Sequence, residues 1–282
     1  MNGNNIYEMV TNRIIEELEK GIIPWQKPWH GVRAGAYNRI SKKPYSILNQ
    51  MLLSKEGEWA TFKQWTDIGG KVKKGSKSEL VVFWKLQPFE EVKEDGEKVV
   101  KHVPILRYYN VFHISQVENV EPLEVDFSEL APIEEAEQIK EAYKNREKIL
   151  IEEIVSDKAF YSPLRDYIQV PCRKQYSEVE EFYSTLFHEM IHSTGHRIRL
   201  DRLDTSANSA FGSEIYSKEE LVAELGSAYI LNMLGIESEK SFRNSTGYIQ
   251  GWLRKLKDDP KFIVSASARA EKAVNYILNG EA

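Results

Sequence analysis

A chain of 282 residues with a formal net charge of −5, 41% apolar and 29% charged residues, has enough material for one large or two ordinary cores. It holds no apolar run of membrane-span length and no apolar N-terminal leader, so no membrane partner and no export are expected. Its single cysteine, Cys172, excludes an internal disulfide framework and is read as incidental, which makes the cytoplasm the expected compartment. The net charge hides an asymmetry: residues 20–85 hold thirteen Lys/Arg against four Asp/Glu, a balance of +9 that leaves −14 elsewhere. Five of the six tryptophans share that basic window, which suggests two modules with different partners.

Ile6, Val10, Ile14, Ile15 and Leu18 recur at helical spacing, predicting an amphipathic helix over 6–20 that Gly21 stops. Residues 24–43 read as irregular, followed by short helices over 46–54 and 61–68. Apolar, β-branched runs predict strands at 79–86 and 103–114, with a charged loop over 90–101 between them. Residues 118–133 carry two prolines and five acidic residues with few apolar positions in register, the best linker candidate. A polar helix follows over 132–147, with Pro132 in its first turn. Strands are expected at 150–155, 158–161 and 166–170, then helices over 177–194, 217–234, 240–257 and 260–279. The result is an α+β chain of two domains, 1–120 and 134–282, joined by a linker over 121–133.

The chemistry concentrates in the helix over 177–194. His188, Glu189 and His192 fall within one helical turn, and residues four apart share a face. A lone histidine on such a helix is usually packed or solvent-facing, but three of the chain's six histidines lie between 188 and 196. His188 and His192 can present two imidazole nitrogens to one Zn2+ (Mn2+ or another divalent ion being alternatives), with Glu189 as general base toward water. His196 follows too closely behind Gly195 to return as a ligand and is read as a neighbouring or substrate-side group. The metzincin pattern fails because position 198 is Ile.

A catalytic zinc needs a third protein ligand. Glu220 and Glu224 share a face of the helix over 217–234, which is otherwise rich in apolar residues, and a carboxylate buried there needs a cation. Glu220 is assigned as ligand and Glu224 as the carboxylate that orients a ligating His, with the reverse assignment as the alternative. The strand over 166–170 precedes the motif helix, and an edge strand in such sites aligns an extended peptide substrate. Tyr161 and His196 are weaker candidates for stabilising an oxyanion.

In the basic half, aromatics interleave with lysines over 59–77. Single-stranded nucleic acid asks for that pairing, with cations for phosphates and ring faces for bases. Trp25, Trp29, Lys63, Trp65, Lys71, Lys73, Lys74 and Lys77 are the candidate contacts, while Trp59 and Trp84 are expected in the core. The competing explanation is a set of core tryptophans beside a solvated lysine loop.

Taken together, these motifs resemble the ArdC-type antirestriction proteins of conjugative plasmids and transposons, over nearly the whole chain. In the first half the likeness rests on Pro24 to Trp29, Trp59 to Gln64, Gly70 to Gly75 and Tyr109 to His113. In the second it rests on Tyr161 to Pro163, Asp166, Phe187 to His196, Arg199 to Asp201 and Glu219 to Glu224. The resemblance implies an N-terminal single-stranded-DNA-binding domain joined to a C-terminal zincin-like metallopeptidase that protects incoming DNA from host restriction. It carries over His188, Glu189, His192 and one Glu of the 220–224 pair. His113 stands where the family is expected to favour Asn, which puts any role of that position in doubt. The rival function is a non-catalytic single-strand-binding protein whose metal site is structural or vestigial.

Overall fold

The computed structural model describes residues 3–26, 35–92, 98–123, 132–203, 214–236 and 246–281. The first half contains α1 (Gly3–Glu19), β1 (Ala36–Asn38), α2 (Ile47–Leu52), β2 (Gly57–Thr61), α3 (Phe62–Asp67), β3 (Lys71–Val72), β4 (Glu79–Val92), β5 (Lys98–His113) and β6 (Val117–Glu118). The second contains α4 (Pro132–Glu147), β7 (Leu150–Ile154), β8 (Phe160–Ser162), β9 (Tyr167–Pro171), α5 (Val179–Thr194), α6 (Glu214–Leu234), α7 (Thr246–Asp258) and α8 (Phe262–Asn279). The α+β class expected from the sequence is the observed one.

Local signals explain the elements they start. Thr61 accepts from the Gln64 amide while the Gln64 side chain accepts from the Thr61 amide, a capping box that turns β2 directly into α3. His113 ends β5 in a similar way. Its Nε2 donates to the Glu56 carbonyl (2.8 Å), which leaves Nδ1 to accept from the Ser115 amide (3.2 Å), and burial pushes its pKa down. His113 therefore serves as a strand-end cap, its ring 5.1 Å from that of Trp59.

A four-stranded sheet has the order β1-β2-β5-β4, with β1 parallel to β2 and the rest antiparallel. The short strands β1 and β2 fall where no strand was expected, because three to five residues give too few alternations to stand out. The hairpin is longer than expected. The ladder runs unbroken from Glu79↔Val111 to Val92↔Lys98, so the charges of 90–101 do not end it; residues 93–97 lie outside the described residues. Among the described side chains Phe89, Val100 and Val103 are exposed, so this part of the ribbon needs no buried stripe, and β-branched or aromatic residues suffice. Asn49 anchors its base: the buried amide donates to the Val82 carbonyl and accepts from the Val82 amide, both at 2.8 Å.

The second sheet has the order β7-β9-β8, so β9 is central, paired parallel to β7 and antiparallel to β8. This corrects the expectation that the strand over 166–170 is an edge free to align a substrate: both of its sides are taken.

Two modules in sequence do not mean two separate cores. One continuous apolar cluster takes Ile6, Val10, Ile14, Leu48 and Leu106 from the first half and Phe187, Ile191, Ile230, Ile263 and Val274 from the second. The α1 helix packs on α7, and α2 packs on α8. Of the linker expected over 121–133, residues 124–131 lie outside the described residues. A satellite cluster of Tyr45, Trp59, Val81 and Val111 fills one face of the first sheet, so Trp59 is core as expected.

Candidate metal centre and nucleic-acid surface

The α5 and α6 helices meet at a close approach. A Cβ on Gly226 would lie 2.6 Å from Ile191 Cδ1, so the absence of a side chain there lets α6 close onto α5. The result faces the first turns of α6 toward the histidine turn. His188 Nε2 and His192 Nε2 stand 3.1 Å apart with their rings nearly perpendicular. Glu220 closes the third side, 3.6 Å from His188 Nε2 and 3.4 Å from His192 Nε2. Two nitrogens on one tetrahedral zinc at 2.0–2.1 Å lie about 3.3 Å apart, so the spacing fits a metal without rearrangement. The donor set, two imidazoles and a carboxylate within 4.8 Å of one another, is the one such group among the described residues.

Electrostatics agree with that reading. Burial would raise the Glu220 pKa, but hydrogen bonds from His188 and His192 outweigh it and hold the carboxyl well below its ordinary value. Burial would depress His192, yet Glu219, Glu220 and the nearby Glu189 push it up to about 10. Three carboxylates around two imidazoles leave an excess of negative charge that a divalent cation offsets. Glu189 is itself buried, on the same turn as the histidines.

The carboxylate beside His192 Nδ1 is Glu219, a residue that the sequence did not single out. Its Oε1 lies 3.5 Å from His192 Nδ1, on the ring edge opposite Glu220, so consecutive glutamates clasp one histidine from two sides. Arg202 grips Glu219 with two hydrogen bonds (2.8 and 3.1 Å) and also donates to Thr194 Oγ1 and the Ile191 carbonyl, tying the end of α5 to α6. Gly195 makes this possible. A Cβ there would meet Leu203 at 2.8 Å, and the amides of Arg202 and Leu203 both donate to its carbonyl. Glu224, buried one turn further along α6, is outside the cluster formed by His188, His192 and Glu220, and the carboxylate beside His192 Nδ1 is Glu219. The only sequence signal for Glu219 was its adjacency to Glu220.

Two weaker candidates change role. The Tyr161 hydroxyl donates to Asp166 (2.8 Å), and burial together with that carboxylate pushes its pKa upward, so it is committed to a structural pair rather than open to an oxyanion. Asp166 in turn takes two hydrogen bonds from Arg199, whose side chain is fully buried and also holds Glu147. His196 is outside the metal group; its Nδ1 faces the Ile198 amide at 3.4 Å.

The nucleic-acid candidates divide. Lys71, Lys73, Lys74 and Lys77 are exposed along β3 and the turn after it, with Lys73 Nζ on the Ser115 carbonyl (3.0 Å). Lys63 is exposed and paired with Asp67 at 2.8 Å. Two of the three expected stacking rings are buried. Trp65 is fully buried, its Nε1 donating to the Phe112 carbonyl, and Trp25 is buried edge-on against Trp252. Trp29 lies outside the described residues. Trp84, expected in the core, is instead 50% exposed, and Phe62, Phe83, Phe89 and Tyr109 are exposed with it. Spacing could not separate the two groups, since which ring faces the core is decided by sheet packing.

Comparison with known proteins follows the same two halves. Residues 4–112 match the family model of the N-terminal domain of anti-restriction factor ArdC, and residues 135–269 match that of a zincin-like metallopeptidase. The crystal structures of antirestriction ArdC from plasmid R388 superpose with TM-scores of 0.73 (metal-free) and 0.75 (Mn(II)-bound). They share 30% and 29% identity with this chain, and 96% of each chain is covered. A protein of Sinorhizobium fredii, uncharacterized y4eC, is 30% identical over 97% of this chain and 91% of its own length. Two Escherichia coli DNA primases TraC are 33% and 32% identical over 96% of this chain. The match spans only 20% and 27% of those longer proteins.

Proposed function

This chain belongs to the ArdC-type antirestriction family, and from that premise we propose that it binds single-stranded DNA and carries a metal-dependent peptidase site that together protect incoming DNA from host restriction. The observation that carries the enzymatic half is the convergence of two imidazole Nε2 atoms and the Glu220 carboxylate beside buried Glu189. His188, His192 and Glu220 would hold the ion, Zn2+ or the Mn2+ seen in the R388 relative. Such an ion, when bound, supplies Lewis acidity and makes a coordinated water acidic near neutral pH.

The protein's own groups do the rest. Glu189 accepts a proton from water on its carboxylate and returns it to the leaving amine of a peptide. Glu219 holds the Nδ1 proton of His192, which keeps Nε2 as the ligating nitrogen, and Arg202 holds Glu219. The exposed lysines from 71 to 77 contact phosphates. The protein or peptide substrate is unidentified, and the compartment consistent with this role is the cytoplasm.

Glu189→Gln tests the proposal. It should retain stoichiometric metal while peptide cleavage falls by about 10²–10⁴-fold, the contribution of a general base, and restriction protection falls with it. Protection that survives with metal bound and cleavage lost would make occupancy of DNA, not proteolysis, the operative activity.

A further inference from the structure

A cleft of about 520 Å³ opens where α1, β4, α6 and α8 meet. It belongs to neither half alone: Tyr7 and Trp84 come from the first, and Lys218, Lys261, Arg269 and Lys272 from the second. Its volume is that of a small-ligand site, room for one or two nucleotide units. Four cations face one carboxylate, Asp259, whose Oδ1 accepts from the Lys261 amide in the turn that starts α8. Lys261, Arg269 and Lys272 make no ion pair with the described residues, whereas elsewhere in this acidic half the arginines 199 and 202 are each matched to carboxylates.

The cations alternate with rings. Lys261 Nζ stands 5.6 Å from the Tyr7 ring centre and Lys218 Nζ stands 5.8 Å from that of Phe262. Trp84 sits 6.4 Å from Tyr7 and keeps half its surface open. Positions 261, 269 and 272 share one face along α8 and span roughly 16 Å of helix axis, longer than a single phosphate needs. An acidic peptide would satisfy the cations and leave the open indole without a partner. A polynucleotide offers both a row of phosphates and flat bases.

We propose that this cleft holds a segment of single-stranded DNA, with phosphates on Lys261, Arg269 and Lys272 and a base on Trp84; the inference rests on the single-strand-binding reading above. The DNA path then extends from the N-terminal half onto the helices of the peptidase half. Lys218, on the cleft wall, directly precedes Glu219 and Glu220, so the same turn of α6 meets both the DNA and the metal group.

The test uses the full chain and a 5′-labelled oligothymidylate, with affinity followed by anisotropy across salt concentrations. The triple variant Lys261→Ala, Arg269→Ala, Lys272→Ala should bind at least tenfold more weakly, with the magnitude of its log–log salt slope reduced by about 2. Trp84→Ala should bind roughly tenfold more weakly with the slope unchanged, since a ring contact releases no counterion. Wild-type binding with both variants indistinguishable from it, in affinity and slope, overturns the cleft and leaves the single-strand reading standing. No binding by the wild type overturns both. As a measurement on unaltered protein, 4-thiothymidine crosslinks should map to peptides containing Trp84 or residues 261–272; crosslinks confined to residues 71–77 would also overturn it.

Discussion

The metal group and the cation-and-ring surfaces present opposite designs within one chain. The metal group is small, half-buried and mutually satisfied: Nε2 atoms 3.1 Å apart, a carboxylate on their third side, and an Arg202–Glu219 pair behind. The basic surfaces are spread over exposed positions from Lys63 to Lys77 and, in the inferred cleft, from Tyr7 to Lys272. Chemistry at one atom needs a few groups held to fractions of an ångström, while recognition of a polymer needs many weak contacts in the right row. Substitutions should therefore act abruptly in the first region and gradually in the second.

The sharpest contrast is expected from Glu220→Ala, which should leave purified protein without stoichiometric metal while Glu224→Gln stays loaded. Metal analysis of the two proteins checks it, and the reverse result would exchange the roles of the two glutamates.

Next in size is the buried network around Arg199. Arg199→Met strands Asp166 and Glu147 and should lower the unfolding free energy by about 3 kcal/mol, measured by urea titration. Burial alone would raise both carboxyl pKa values, but Arg199 and the neighbouring donors hold them below the ordinary 3.8 and 4.5. Their stabilisation is complete above those ordinary values and is lost as pH falls through the depressed folded ones. Wild-type thermal stability should thus drop below about pH 4, and the Arg199→Met protein should show a shallower drop.

Glu219→Gln should weaken metal affinity by about 10–100-fold without emptying the site at saturating metal, as read by competition with a chelator. An effect as complete as that of Glu220→Ala would make Glu219 a ligand. Smallest at physiological salt should be Lys71→Ala, Lys73→Ala, Lys74→Ala together, a gradual loss of single-strand affinity with a salt slope reduced by about 2 in magnitude. An unreduced slope would remove this turn from the DNA surface and leave the comparison resting on the cleft.

The helical turn of His188, Glu189 and His192 was legible because its periodicity is local: four residues advance one turn whatever the rest of the chain does. Glu220 was legible as a carboxylate amid apolar residues, which signals a buried charge in need of a partner. The same logic applied to Glu224 named a buried carboxylate that lies outside the cluster of His188, His192 and Glu220, while Glu219, beside His192, went unnamed because only the rotation of α6 against α5 brings it there. In the basic half, the spacing marked lysines that are exposed but grouped the buried rings Trp25 and Trp65 with them and placed Trp84 in the core. Trp65 turns inward to the Phe112 carbonyl, and Trp84 turns outward on a ribbon with little core beneath it.

The sequence alone determined the α+β class, most helices to within a few residues, and the histidine turn, since helical periodicity and capping are set by neighbours along the chain. Only the tertiary structure decided that two sequence modules share one core, that β9 is central, and that Glu219 backs His192. It also gathered Lys261, Arg269 and Lys272 beside Trp84 out of a half, 134–282, that holds 20 Lys/Arg against 25 Asp/Glu. Those outcomes depend on contacts between residues well separated along the chain, from β7 against β9 to Tyr7 against Lys261, where burial and helix rotation decide what meets and no local pattern carries the information.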